Sequence, residues 1–228
     1  MALAIGLACT GCSFKPAGPL QHDTKDVDRD KAEFVRVNLS IGGGDLRIDP
    51  GTDKLASAAF DYNVPEWKPE VTYSSSAGVG NLTIKQPGNS STHFSNTRYD
   101  WAIRLNRDVP LEFHVRVGAG NANLNLGGLT LRRVEVEMGA GDLNMDLRGS
   151  PQASYDLTIR GGAGNATINL PDSVGVDGTA VGGIGDVSVS GLHQDGHRYY
   201  NDALGKSNVT IRMDLKAGVG DLHLISGK

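Results

Sequence analysis

Four groups of residues in this 228-residue sequence have types and spacings that chemistry could use. Gly182-Gly183-Ile184-Gly185-Asp186 and Gly161-Gly162-Ala163-Gly164-Asn165 approach the calcium-binding nonapeptide Gly-Gly-x-Gly-x-Asp. In that motif a residue separates glycine from the acid; here the acid or amide follows directly, and neutral Asn often replaces Asp, so calcium is not expected. His193 and His197 are four apart, but Gly191 and Gly196 make their segment a loop and no third ligand lies nearby in sequence. Asp146 and Arg148, with Glu135, Glu137, Arg132 and Arg133, supply the carboxylates and cations that a polysaccharide hydrolase or lyase would need. Finally, the stretch Gln86 to Asp100, followed at once by Trp101, carries His93, Phe94, Arg98, Tyr99 and Trp101, a mixture suited to a sugar or protein surface.

Each group also has an ordinary reading. Charged residues alternating with apolar ones are the solvated face of a strand, and Phe94 and Trp101 serve equally to plug one side of a core. No nucleophile elbow, His-Glu-x-x-His, phosphate loop or Cys-His arrangement occurs. The sequence therefore predicts a protein without catalytic residues, metal or cofactor. A cell-wall or polysaccharide-acting hydrolase or lyase is the alternative. The net charge of −4 and the lack of a basic stripe argue against nucleic acid as a partner.

Both cysteines, Cys9 and Cys12, fall at the start, so no disulfide staples the body of the chain. Ala2 to Ala8 is apolar but too short to span a bilayer, and it runs through Thr10-Gly11 into Cys12-Ser13, like the tail of a lipoprotein signal. Cys12 is the expected lipidation site, with the lipid anchoring the chain to a membrane on its extracytoplasmic side. Residues 1–12 are then a signal remnant, 13–32 a polar tether with the charge run Asp23 to Lys31, and 33–228 the folded domain.

The elements that position these residues are written in a repeat. Seven times a Gly-x-Gly triplet is followed by Asp or Asn: Gly42 to Asp45, Gly78 to Asn81, Gly118 to Asn121, Gly139 to Asp142, Gly162 to Asn165, Gly183 to Asp186 and Gly218 to Asp221. Gly120 to Gly141 is 21 residues, Gly141 to Gly164 is 23 and Gly164 to Gly185 is 21, while the outer copies carry insertions. A period in this range signals stacked units, because one unit cannot bury its own apolar face. Val134, Val136 and Met138 alternate with Glu135 and Glu137 before the triplet; Leu143, Met145 and Leu147 alternate with Asn144 and Asp146 after it. The parity slips by one at Gly141-Asp142, which predicts a corner between two strands.

The expected fold is an all-β, parallel β-helix-like solenoid, with a hairpin sandwich as the second choice. The corner positions are Gly120-Asn121, Gly141-Asp142, Gly164-Asn165, Gly185-Asp186 and Gly220-Asp221, with the middle residue of each triplet facing the core. Stacked in sequence order, the column should favour amides, because Asn side chains ladder and carboxylates repel. The last copy should end the stack and leave an open edge for another copy or a partner.

The run Pro110 to Asn121, continuing through Leu126-Gly127-Gly128-Leu129 and Val136 to Leu143, resembles the bacterial toast-rack family, as do Ile159 to Pro171 and Tyr199-Tyr200-Asn201. The resemblance runs from about Trp101 to Ile225. The family includes adhesin-like proteins and domains of proteins linked to cell-wall-active antibiotic responses. It implies a β-solenoid-like, extracytoplasmic domain without known enzymatic activity, an adhesin-like or envelope-stress interaction scaffold whose partner is an envelope protein or glycan. Its glycines are structural and carry over a fold, not a site.

Overall fold

The structure is a computed structural model and describes residues 15–88 and 94–227. Its strands are β1 (Lys15–Pro16), β2 (Gln21–Val27), β3 (Phe34–Gly43), β4 (Asp45–Pro50), β5 (Ala56–Tyr62), β6 (Glu70–Ser76) and β7 (Val79–Lys85). There follow β8 (Phe94–Ser95), β9 (Tyr99–Leu105), β10 (Leu111–Ala119), β11 (Ala122–Asn125), β12 (Leu131–Ala140), β13 (Leu143–Asp146) and β14 (Tyr155–Ala163). The last are β15 (Ala166–Leu170), β16 (Gly175–Val181), β17 (Val187–Ser190), β18 (His193–Asp195), β19 (Arg198–Tyr200), β20 (Thr210–Lys216) and β21 (Leu222–Ser226).

Two long sheets hold nearly all of them. Sheet I has ten strands in the order β18-β19-β16-β20-β14-β12-β10-β3-β7-β6; sheet II has nine, β17-β21-β15-β13-β11-β4-β9-β5-β2. In the middle the chain rises through sheet I, bends at a corner and descends through sheet II, so that each rung lies parallel to the next. Rungs stack about 4.8 Å apart. The inner faces meet over a continuous aliphatic core, for example Val37, Phe113, Val134 and Leu157 from sheet I against Ile48, Leu124, Met145 and Ile168 from sheet II, all at most 1% exposed.

The alternation read from the sequence is the cause. A strand with apolar residues at every second position buries one face, and a coil of such strands buries them against one another. The predicted β-coil is therefore present, and the antiparallel sandwich is not the architecture of its middle.

Four expectations are corrected. The copy at Gly78 to Asn81 is not a corner: Ala77 and Gly78 both have positive φ (51° and 79°) and make the tight turn of the antiparallel β6–β7 hairpin. Gly80 and Asn81 then pair with Val35 and Arg36 inside the sheet. Second, the final two rungs exchange places, since β21 lies between β15 and β17. The last copy in sequence is thus interior, and the edge strand of sheet II at that end is β17.

Third, the segment 13–32 is not a free tether over β2, which pairs antiparallel with β5 from Gln21↔Tyr62 to Val27↔Ala56. Its side chains are tied to the body by Tyr62–Asp23 at 2.7 Å, Lys68–Asp23 at 3.0 Å and Lys54–Asp28 at 2.5 Å. Fourth, the middle residues of the triplets do not pack in the core. Ala119, Ala140 and Ala163 are exposed, as are Val219 at 50% and Ile184 at 73%. Two strands converging on one glycine leave no interior width, so the side chain there is left at the rim.

Candidate functional site

The corner column is built from backbone geometry. Gly44, Gly120, Gly141, Gly164, Gly220 and Gly185 follow one another along it, with φ between +114° and +135°. An L side chain rarely adopts that conformation, and a methyl group at Gly141 would overlap the carbonyl oxygen of Gly120. Glycine is required there on both counts.

The acid or amide after each glycine has a specific partner. The Oδ1 atom of Asp45 accepts the backbone N–H of Asn121 at 3.0 Å, Asn121 accepts that of Asp142 at 3.4 Å, and Asp142 accepts that of Asn165 at 2.9 Å. Asn165 accepts from Asp221 at 3.0 Å, and Asp221 from Asp186 at 3.0 Å. The expected amide ladder is thus replaced by a chain of side-chain-to-backbone bonds. Only an acceptor oxygen is needed, which Asp and Asn supply equally, so their mixture along the column follows.

Among the described residues the candidate binding group does not form an exposed cluster. His93 lies outside the described residues, as does the side chain of Phe94, whose backbone pairs with Lys15. Tyr99 and Trp101 are 3% and 1% exposed and pack edge-on with Phe60, Tyr62 and Trp67 at centroid distances from 5.5 to 6.5 Å. The Tyr99 hydroxyl donates to the Trp67 carbonyl at 2.6 Å. Both are core residues, which is the plug reading for Trp101 and extends to Tyr99. Arg98 is exposed and donates to Asp100 at 2.7 Å. Cys12 also lies outside the described residues.

The outer faces differ from one another. On sheet I, Arg36, Glu112, Arg133, Asp156, Arg212 and Asp177 stand side by side across six strands with alternating sign. Arg36–Glu112 (3.1 Å), Arg212–Asp156 (2.6 Å), Arg116–Glu137 (2.9 Å) and Arg160–Asp214 (2.5 Å) bond across rungs. These charges satisfy each other, which gives each exposed pair little energy but fixes the face.

On sheet II the outer face is paved with amides and a few compensated charges. Arg47, Asp49, Asn123, Asn125, Asn144, Asp146 and Asn169 line a shallow trough of about 300 Å³. Arg148 bonds Asp146 at 2.6 Å and holds its carboxyl below the usual aspartate value. Periodicity places Asn144, Asp146 and Arg148 outward, and Asn123, Asn125 and Asn169 fall on the same outward parity.

Two histidine contacts have the look of chemistry. Ser188 Oγ lies 2.5 Å from His223 Nδ1, but on an open face and with no carboxylate bonded to the imidazole among the described residues. His193 bonds Asp202 at 2.6 Å, and its ring leans on Tyr200 in an exposed hairpin. Neither pair has the third orienting group of a nucleophilic site. Among the described residues no helix is long and apolar enough to cross a membrane.

A two-sheet rack of parallel rungs with glycine corners is a toast-rack architecture. The chain belongs to the family described as the N-terminal domain of toast_rack, whose family model matches residues 16–169. That match takes in β2 to β8, the stretch that falls before the resemblance read from the motifs. A solved structure from Clostridium sporogenes, described as a "putative cell adhesion protein", is similar over 92% of this chain and 100% of its own, with 33% identity and a TM-score of 0.88. A "putative adhesin" from Bacteroides fragilis is matched over 93% of this chain and 100% of its own at 13% identity, with a TM-score of 0.36. No curated protein matches the chain.

Proposed function

We propose that this chain is a non-catalytic, adhesin-like scaffold of the cell envelope, held at the membrane by a lipid on Cys12. The observation that carries the reading is the likeness, along nearly the whole chain, to the Clostridium sporogenes protein described as a "putative cell adhesion protein". The surface supports it. Outward carboxylates on sheet I are tied to cations on neighbouring rungs, and Asp146 is kept ionised by Arg148, which suits it poorly to act as a general acid. A rigid rack with flat, patterned faces is made for contact. The partner is an envelope protein or a glycan.

Beads coated with the protein should be retained on cells or envelope preparations, while muropeptides and acidic polysaccharides incubated with it stay intact. Cleavage abolished by Asp146→Ala would defeat the scaffold reading in favour of the hydrolase or lyase. The anchor is checked separately: mass spectrometry of the cell-expressed protein should find a diacylglyceryl group on Cys12, absent from Cys12→Ser.

A further inference from the structure

We propose that the outer face of sheet II binds a neutral, linear glycan along the trough that crosses β4, β11, β13 and β15. This rests on the adhesin-like reading and names the ligand class of one face.

The trough's polar groups point to a polyhydroxylated chain. Asn123, Asn125 and Asn144 are exposed and Asn169 is half-buried, whereas Leu124 and Met145, whose backbones form the floor, turn their side chains into the core. The amides are weakly engaged with one another. Asn144 Nδ2 donates to Asn123 Oδ1 at 3.4 Å, Asn125 Nδ2 to Asp49 Oδ1 at 3.4 Å, and Asn169 Nδ2 to the Met145 carbonyl at 3.5 Å. A primary amide offers two donors and an oxygen that accepts twice, so most of that capacity is turned to solvent. Hydroxyl groups, which both donate and accept, match it.

Charge then selects among sugars. Arg47 is bonded to Asp49 at 2.6 Å and Arg148 to Asp146 at 2.6 Å, so the two cations and two carboxylates cancel in place. The trough has no net field to draw a polyanion, and its carboxylates would repel one. Sheet I provides the internal contrast, since its outward groups are strong charges already paired across rungs.

Repetition selects a linear chain. Outward polar positions recur at each rung, Arg47, Asn123, Asn144 and Thr167 in one row and Asp49, Asn125, Asp146 and Asn169 in the next, about 4.8 Å apart, a step comparable to the advance of one residue in an extended hexose polymer. Successive sugars thus meet hydrogen-bonding groups at a regular step. No aromatic side chain lines the trough to stack on a sugar ring. Binding is therefore weak per residue and strengthens with chain length until the trough is spanned.

The test is calorimetry of the mature protein with cellulose and chitin oligosaccharides of increasing length, and with polygalacturonate as the acidic control. Neutral oligomers should bind with affinity rising with length. The double variant N123A/N144A should weaken them by about tenfold or more, the worth of two ordinary hydrogen bonds, whereas Glu137→Gln on the opposite face should leave them unchanged. Neutral oligomers that fail to bind, a preference for polygalacturonate, or full affinity in the double variant would each overturn the proposal. Failure here with coated beads still retained on cells would leave the adhesin-like reading standing. Beads that are not retained, whatever the calorimetry shows, would remove that reading instead.

Discussion

Asp221 accepts the backbone N–H of Asp186 through its Oδ1 atom at 3.0 Å, although 35 residues separate the two. The same bond joins Asp45 to Asn121, Asn121 to Asp142, Asp142 to Asn165 and Asn165 to Asp221. What recurs in the sequence as a motif is in space a single seam, in which each rung's corner residue holds the next rung's backbone.

The seam needs an oxygen and not a charge. Asp142→Asn should therefore be close to neutral in urea unfolding, while Asp142→Ala, which leaves the Asn165 N–H without its acceptor, should lose about 0.5–1.5 kcal/mol. Equal losses for the two substitutions would mean that charge, not the acceptor atom, matters at the corner.

Glycine at the corner is required by conformation and by space. Gly141→Ala places a side chain at φ +114° and against the Gly120 carbonyl, so it should destabilise by at least about 1–3 kcal/mol from backbone strain alone. A shift of the unfolding midpoint within error of wild type would contradict the stacked geometry.

Gly161 is the opposite case. It stands in β14 beside a narrow apolar slot lined by Met138, Leu143, Ile159, Leu215 and Leu222. A Cβ there would meet only Ala217 Cα and the Lys216 carbonyl, both at 3.7 Å. Gly161→Ala should stabilise by roughly 0.5–1 kcal/mol, through lower chain entropy in the unfolded state and a partly filled slot. A lower thermal midpoint would show that the slot has no room.

Acid and alkali should each act through the β2 clamp. The Tyr62 hydroxyl, then Lys68, hold the Asp23 carboxyl below its ordinary value, so the stability it adds is present above about pH 4 and is lost as pH falls through the depressed value. Asp146 beside Arg148 and Asp214 beside Arg160 act in the same direction. Burial, and then Asp23, push the Tyr62 hydroxyl up to about 12. Its contribution is complete below about pH 10 and is lost as pH climbs through that raised value. In Tyr62→Phe, the Asp23 titration followed by NMR should move up toward the ordinary aspartate midpoint; an unmoved midpoint would refute the clamp.

The sequence made the coil legible because its apolar alternation and its corner glycines are local signals, present in residues such as Val134 to Met138 and Gly141-Asp142. Where the triplet at Gly78 to Asn81 differs is in its partner: a glycine that permits positive φ serves a hairpin turn as well as a corner, and only the pairing of β6 with β7 decides. The exchange of the last two rungs is invisible for the same reason, since every rung offers similar edges to its neighbours. β2 was hidden because Gln21 to Val27 is polar on both faces, its strand form coming from β5. The aromatic group at Tyr99 and Trp101 has the composition of a contact surface, and burial alone distinguishes it from one.

The order of the rungs is the central claim about the rack, and disulfide trapping reads it directly at its exchanged end. The only cysteines, Cys9 and Cys12, can be replaced without touching the described rack. Val219 is bridged to Ala163 on one side and to Ile184 on the other, each pair one rung apart and within the Cα spacing a disulfide spans. Oxidation of A163C/V219C and of I184C/V219C should both yield intramolecular cross-links, and A163C/I184C, two rungs apart, should not. A cross-link in A163C/I184C together with none in I184C/V219C would place the rungs in sequence order and contradict the account.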